Sequence, residues 1–384
     1  MRSNSAGHTS VGRSIMIDNT GLLQECIAHG VVRLHNGAVL HRTPSPLPTD
    51  FDFQKVEGML LGLAIGDALG APTEGMTPAR RRSRHGEIRD YLPSKRRDLG
   101  TLGAVTDDTQ LAFWTLEQLL EDRGLIPEHL AAKFCSGHIY GIGNTVSQFI
   151  VKHKDQGLPW QLAGVDSLGN GALMRIAPIV VPHLQLPGTP LYADAALDAM
   201  VTHNSFGTIA ACVAFMDLLW QVLAMSRAPE PSWWIESFVS TVRELEGQTT
   251  YSPEMPEVRG YAGPLWHFAE DMCLGALRGR VPVVDACNRW GSGASLMETV
   301  PSVLYILAMH GHDPEAAILR AVNDTKDNDT VAAIVGAAMG ALHGFAALPT
   351  RWVRDLDGRI RKGGRSQVFR LTLQAKQVFW LKHT

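Results

Sequence analysis

The strongest pattern along the chain is helical. From Phe53 to Gly70 most positions are apolar, and glycine recurs at 58, 62, 66 and 70, a strict four-residue period. Residues four apart share one helix face, so this spacing strips that face to bare backbone. A glycine inside a helix costs about 1 kcal/mol against alanine, and four in register call for a second helix packed close against them. The late apolar run Val331–Leu348, interrupted only by His343, repeats the device at Gly336, Gly340 and Gly344. The two segments are expected to be central helices that pack on each other or share one crowded core. Further helical stretches are read at Thr109–Arg123, Pro127–Ser136, Thr145–His153, Tyr192–Thr202, Phe206–Ser226, Trp234–Glu246, Pro264–Arg278, Pro301–Met309 and Pro314–Val322. Strand alternation is nearly absent, so the fold class expected is all-α, a compact multi-helix domain. One local exception is a hairpin signal, Asn36-Gly37 between Val31–His35 and Ala38–His41.

The run Val331–Leu348 reaches the length of a membrane span. It follows directly on Asp327 and Asp329, and nothing else in the chain resembles a span, so it reads as a buried core helix. Residues 1 to 14 are rich in Ser, Gly, Arg and His and show no apolar signal-peptide core. The expectation is a cytoplasmic protein without a membrane partner. Residues 1–50 differ from the rest, mixing Ser, Gly and His and ending in the proline-rich Thr43–Pro48. A mobile tail would not need Val31, Val32, Leu34, Val39 and Leu40, so this extension reads as an arm that docks on something, with residues 51–384 as the main domain.

Charge narrows the function classes. Lys and Arg number 35 against 38 Asp and Glu, a net charge of −3, which argues against a dedicated nucleic-acid binder. At 45% hydrophobic and 19% charged the 384-residue chain is not a disordered one. The arginine-rich stretch Ala79–Gly100, with Arg80, Arg81, Arg82, Arg84, Lys95, Arg96 and Arg97, reads as an exposed basic loop. A solvated face is its ordinary explanation, and a site for an anionic partner the rarer one. The five cysteines, at 26, 135, 212, 273 and 287, are scattered and form no C-x-x-C. They fit core positions in a reducing compartment.

Two acidic clusters carry the chemistry: Thr106-Asp107-Asp108-Thr109 and Asp327-Asn328-Asp329-Thr330, each where a loop turns into a helix. Helix capping accounts for one such residue. It does not account for two carboxylates and a hydroxyl at each place, because crowded carboxylates repel unless a cation lies among them. The candidate donors are all oxygen, which points to a hard ion such as Mg²⁺, Mn²⁺ or Ca²⁺. An EF-hand is excluded: counting from Asp327, position 6 is Ala332 and position 12 is Ala338. Two half-sites from distant parts of the chain, converging on one or two ions, fit better.

Five blocks, in order, resemble the ADP-ribosylglycohydrolase family. They are Gly66-Asp67-Ala68-Leu69-Gly70-Ala71-Pro72-Thr73-Glu74, Thr106-Asp107-Asp108-Thr109, Gly169-Asn170-Gly171-Ala172-Leu173-Met174-Arg175, Thr202-His203, and Asp327-Asn328-Asp329-Thr330-Val331-Ala332-Ala333-Ile334. The resemblance spans about residues 53 to 345. It implies an all-α fold with a centre of two Mg²⁺ ions (Mn²⁺ as the substitute) in a cleft, and hydrolysis of the bond joining ADP-ribose to a protein side chain, arginine being the preferred acceptor. Carried over by position, the metal ligands would be Thr106, Asp107, Asp108, Asp327, Asp329 and Thr330. Glu74 and Asp107 would be the catalytic carboxylates, one taking a water's proton or holding the ribose, since cleavage at ribose C1 builds positive charge on the sugar.

The segment Tyr140-Gly141-Ile142-Gly143-Asn144-Thr145 resembles the family's glycine-bearing loop, whose backbone comes near the pyrophosphate; a simple helix stop at Gly141 and Gly143 explains it as well. Asn170, Gly171 and His203 would line the ADP-ribose pocket. One departure is Thr325-Lys326 where many relatives carry Gly-Gly, which places a positive charge beside the ions and bears on acceptor preference. The other is the arm. Some bacterial relatives are immunity proteins against ADP-ribosyltransferase toxins, so residues 1–50 are a candidate toxin-binding element. A structural protein on a retired enzyme fold is disfavoured, because every expected ligand is present.

Overall fold

The computed structural model describes residues 18–94, 102–185, 188, 190–362 and 364–381. The helices that bear on the site are α1 (Thr20–Ala28), α2 (Gln54–Gly70), α3 (Pro78–His85), α4 (Asp107–Asp122), α5 (Asn144–Ile150), α6 (Pro190–Thr202), α7 (Phe206–Ala224), α8 (Pro231–Glu246) and α9 (Asn328–His343). Other helices close the bundle, and among the described residues only three isolated β-bridges occur. The chain is all-α.

The glycine ladder does what its spacing requires. A Cβ on Gly58 would lie 2.6 Å from the Gly340 carbonyl oxygen, and one on Gly62 would fall on the Gly336 carbonyl, with the reverse also true. Further along, a Cβ on Gly66 would meet the Ala332 carbonyl and one on Gly70 the backbone of Asp329. α2 and α9 therefore run antiparallel, backbone to backbone, and both are buried along almost their whole length. This contact delivers the N-terminus of α9, with its acidic cluster, to the C-terminal end of α2. The span-like segment is not the run Val331–Leu348, whose helix α9 has 16 residues; α7, which the sequence did not single out, is the one described helix long and apolar enough to cross a membrane, and 89% of its apolar window is buried inside the fold.

Two further expectations are corrected. The Asn36-Gly37 hairpin does not form: Gly37 is extended (φ −80°, ψ 161°) rather than left-handed, and Ala38–His41 is a 3₁₀ turn. A hairpin would need the two flanks to bond each other. Instead Asn204 brackets the first flank, accepting the Arg33 N–H (2.9 Å) and donating to the Val31 carbonyl (2.8 Å), while the His35 N–H donates to the Leu245 carbonyl (2.9 Å). Val32, Leu34, Val39 and Leu40 are buried in the main core along with Leu23 and Cys26 of α1. Second, the first part of the basic stretch is not a loop. Thr77 caps α3 by accepting the Arg80 N–H, Pro78 opens the helix, and Arg81 turns inward to 1% exposure while Arg80, Arg82 and Arg84 stay on the outer side. Lys95, Arg96 and Arg97 lie outside the described residues, as do residues 1–17 of the arm.

Candidate active site

The first acidic cluster is freed from capping by a residue on α2. Asp67, fully buried, accepts from four donors at the start of α4: the Thr106 N–H (2.9 Å) and hydroxyl (2.8 Å), and the Thr109 N–H (3.1 Å) and hydroxyl (2.5 Å). Thr106 makes no capping bond of its own. One carboxylate from a neighbouring helix thus satisfies the Thr106 and Thr109 N–H groups at this helix start, and the side chains of Asp107 and Asp108 are not used for capping. At the start of α9, Asp327 does not cap either; it accepts from the Asn170 amide (2.7 Å).

The leftover carboxylates converge. Asp67, Asp108 and Asp329 each offer an oxygen within 4.8 Å of the others, and so do Glu74, Asp327 and Asp329. Asp329 belongs to both groups. Burial drives Asp107, Asp108 and Asp329 well above the ordinary carboxylate range, and repulsion among the acids adds to it; burial also raises Asp327. Asp108 Oδ1 is buried and accepts no hydrogen bond. An orphaned carboxylate oxygen inside an all-oxygen cluster is what a hard divalent cation would satisfy, so the donor set fits such an ion. Glu74, Asp107, Asp108, Asp327, Asp329 and Thr330 line one wall of a cleft of about 230 Å³. Thr106 does not line it; its hydroxyl lies between Asp67 and Asp108.

The opposite wall is built from loops. Gly141 is left-handed (φ +85°), Gly143 has open space where a side chain would stand, and both face the cleft. Tyr140 is buried behind them, its N–H held by Gln110 of α4 (2.8 Å), and does not line the cleft. Asn170 and Gly171 lie on a segment pinned by the bridge between Gly169 and Ser295. Asn170 donates to both Thr299 (2.9 Å) and Asp327 (2.7 Å), tying this wall to the acidic one.

His203 meets the cleft with one edge of its ring. Its Nε2 approaches Gly169 and Gly171, and its Nδ1 is 2.8 Å from the Thr202 hydroxyl. That hydroxyl accepts from Arg175 Nη2 (3.1 Å). Arginine can only donate, so the Thr202 hydroxyl keeps its own proton and a second lone pair, and His203 Nδ1 is the other polar atom beside it. Burial, helped by the Arg175 charge, pushes the His203 pKa down to about 3. The ring is neutral. Arg175 itself is paired with Asp198 in the core.

The sequence did not single out Asp67, Arg175 or Asp198 for these roles. A lone aspartate in an apolar helix was the signal for the first; the buried pair gives no local signal.

Comparison with known proteins identifies the family. The profile of the ADP-ribosylglycohydrolase family matches residues 48–380. The chain is 26% identical to the ADP-ribosyl-[dinitrogen reductase] glycohydrolase of Rhodospirillum rubrum, over 81% of this chain and 93% of that one. It is 24% identical to the ADP-ribosylarginine hydrolase Tri1 of Serratia proteamaculans, over 89% of this chain and 83% of that one. Among solved structures it resembles one described as an ADP-ribosylglycohydrolase-related protein complex, with a TM-score of 0.58 and 25% identity over 85% of this chain and 96% of that one.

Proposed function

Since the chain belongs to the ADP-ribosylglycohydrolase family, and so to the hydrolases that remove ADP-ribose, we propose that it cleaves the N-glycosidic bond between ADP-ribose and an arginine side chain of a modified protein, with two Mg²⁺ ions in the cleft. The observation that carries this reading is the convergence of Glu74, Asp107, Asp108, Asp327, Asp329 and Thr330 on a cleft whose far wall is two glycine-bearing loops and a neutral His203. Residues 107, 108, 327, 329 and 330 would hold the ions, and Thr106, tied back by Asp67, would steady Asp108 from behind rather than reach the ions. When bound, the ions supply an electrostatic hold on the ribose and a more acidic water.

The rest is done by the chain itself. The neutral His203 ring and the open backbone at Gly141 and Gly143 receive the anionic pyrophosphate without a side chain in the way. Asn170 keeps Asp327 oriented. Glu74, at the exposed edge of the acidic wall, and Asp107, at its buried side, are the two carboxylates that can take the proton of the attacking water or bond the ribose. Arginine as acceptor is supported by the likeness to Tri1. Lys326 is exposed beside Asp327, outside the residues that line the cleft.

A panel of proteins modified on arginine, on serine or on a carboxylate tests the acceptor. Release from the arginine conjugate at least tenfold faster than from the others is expected, and equal or faster release from another would move the assignment. The same activity would serve immunity against an ADP-ribosyltransferase toxin by undoing its modification. A toxin-binding arm has less support: its apolar residues 32, 34, 39 and 40 are buried in the protein's own core.

A further inference from the structure

Arg81 is the one member of the arginine-rich helix α3 that is fully buried, and it makes no ion pair among the described residues. A buried charge needs compensation. Every hydrogen bond it makes goes to a neutral oxygen. Arg81 Nε donates to the Thr73 hydroxyl (3.0 Å), Nη2 to the carbonyls of Thr73 (3.3 Å) and Met76 (3.0 Å), and Nη1 to those of Asn323 (3.1 Å) and Thr325 (2.6 Å). The five acceptors fall into two groups. Thr73 and Met76 bracket Glu74; Asn323 and Thr325 lead into Asp327 and Asp329. Two further bonds join the same loops: Asn328 donates to the Thr73 hydroxyl (3.0 Å), and the Gly75 N–H to the Lys326 carbonyl (3.0 Å). The planar fork is suited to hold two backbone segments at a set distance, which a lysine's single ammonium is not.

We propose that Arg81 is a positioning residue of the metal centre: its guanidinium clamps the Thr73–Met76 loop to the Asn323–Thr325 loop and so sets Glu74 against Asp327 and Asp329. The clamp rests on the reading of those acids as a cation site. Arg81 touches neither substrate nor ion. Its effect is on how well the two half-sites, contributed by segments some 250 residues apart in sequence, are spaced before a cation arrives. Changes to residues that orient metal ligands typically weaken metal binding by about 10–100-fold, and this range is expected here.

The test is direct titration of Mn²⁺ into the purified full-length protein, by calorimetry, for wild type, Arg81→Lys, Thr73→Val, Thr73→Ser and Glu246→Gln. Far-UV CD and metal-free melting establish that each is folded. Arg81→Lys keeps the charge and loses the fork; it should bind Mn²⁺ about 10–100-fold more weakly. Thr73→Val removes one acceptor at nearly constant shape and should weaken binding severalfold, while Thr73→Ser restores it. Glu246 is buried away from the cleft, where it accepts from Thr249, Leu265 and Trp266. Glu246→Gln should lower the melting temperature and leave Mn²⁺ affinity alone.

Arg81→Lys decides if it folds, and the Thr73 pair decides if it does not. Affinity within twofold of wild type in the deciding variant would overturn the clamp, and so would an equal loss in Glu246→Gln. A wild type that binds no Mn²⁺ would instead overturn the cation site itself.

Discussion

At the scale of single residues, the site depends on groups whose partners are fixed by chemistry rather than by shape. His203 is the clearest. Arg175 donates to the Thr202 hydroxyl, that hydroxyl meets His203 Nδ1, and the imidazole is buried beside the Arg175 charge. With a pKa near 3 in the fold and near 6.5 in the unfolded chain, the unfolded state binds the proton more readily between those values. His203 therefore contributes stability that is fully present above about pH 6.5 and lost as pH falls toward 3. Its ring should show no titration between pH 8 and pH 5 when followed by NMR at Cε1, and ADP-ribose affinity should not change over that range through this residue. A ring titrating near 6.5 would mean that it is not held buried beside Arg175. Thr202-His203 stood out in the sequence as a motif, but Arg175 and Asp198, the buried pair that controls it, are separated by 23 positions and carry no local mark of their pairing.

At the scale of elements, the pairing of α2 with α9 was legible because contact between backbones demands that side chains be absent, and absence has a spacing. The consequence is asymmetric. Alanine is the better helix former by about 1 kcal/mol, yet at Gly62 its Cβ would fall on the Gly336 carbonyl, where no side chain can rotate away. Gly62→Ala should lower stability by about 3 kcal/mol, at the upper end of ordinary overpacking. Gly275 lies in the interior of the helix Leu265–Gly279, and a Cβ placed there would meet nothing within 4 Å. Gly275→Ala should therefore raise stability by up to about 1 kcal/mol. Urea unfolding of the two variants checks both signs; equal effects would show that the glycine ladder is not what brings the two helices together.

Other elements were less legible. Thr77-Pro78 is a helix-start signal that makes residues 78–85 a helix and puts Arg81 on the inner face with Pro78, both of which are buried. The run of arginines hid it, since charge composition speaks for the majority of the residues and one of them points the other way. The Asn36-Gly37 signal misled for the opposite reason: it is local, and the bonds that overrule it come from Asn204 and Leu245, far along the chain.

At the scale of the whole molecule, the arm is part of the fold from residue 18 onward. Asn19 donates to the Leu125 carbonyl (2.9 Å) and to Asp194 (2.6 Å), and Arg42 pairs with Asp217 of α7 (2.6 Å). Deleting residues 1–50 removes Leu23, Cys26, Val32, Leu34, Val39 and Leu40 from the core, at about 1.5–3 kcal/mol for each large side chain buried. The expected result is a marked fall in melting temperature, whereas deleting residues 1–17 takes none of these side chains away. Equal melting of full-length and 51–384 chains would show that the arm adds nothing to the body.

The acidic clusters were readable as metal half-sites because each is contiguous. That they face a cleft, and that a carboxylate on α2 does the capping for one of them, emerges only when roughly 40 to 260 positions of chain are folded back. Whether these acids are a divalent-cation site serving removal of ADP-ribose is tested most directly by release of ADP-ribose from an arginine-ADP-ribosylated protein, with Mg²⁺ and again with EDTA. The proteins to compare are the wild type and Asp329→Ala, whose carboxylate is shared by both acid groups. The expected result is release by the wild type with Mg²⁺, loss in EDTA that Mg²⁺ restores, and at least a hundredfold loss in Asp329→Ala at an unchanged helical CD spectrum. Release that continues undiminished in EDTA, or in Asp329→Ala, would contradict the assignment.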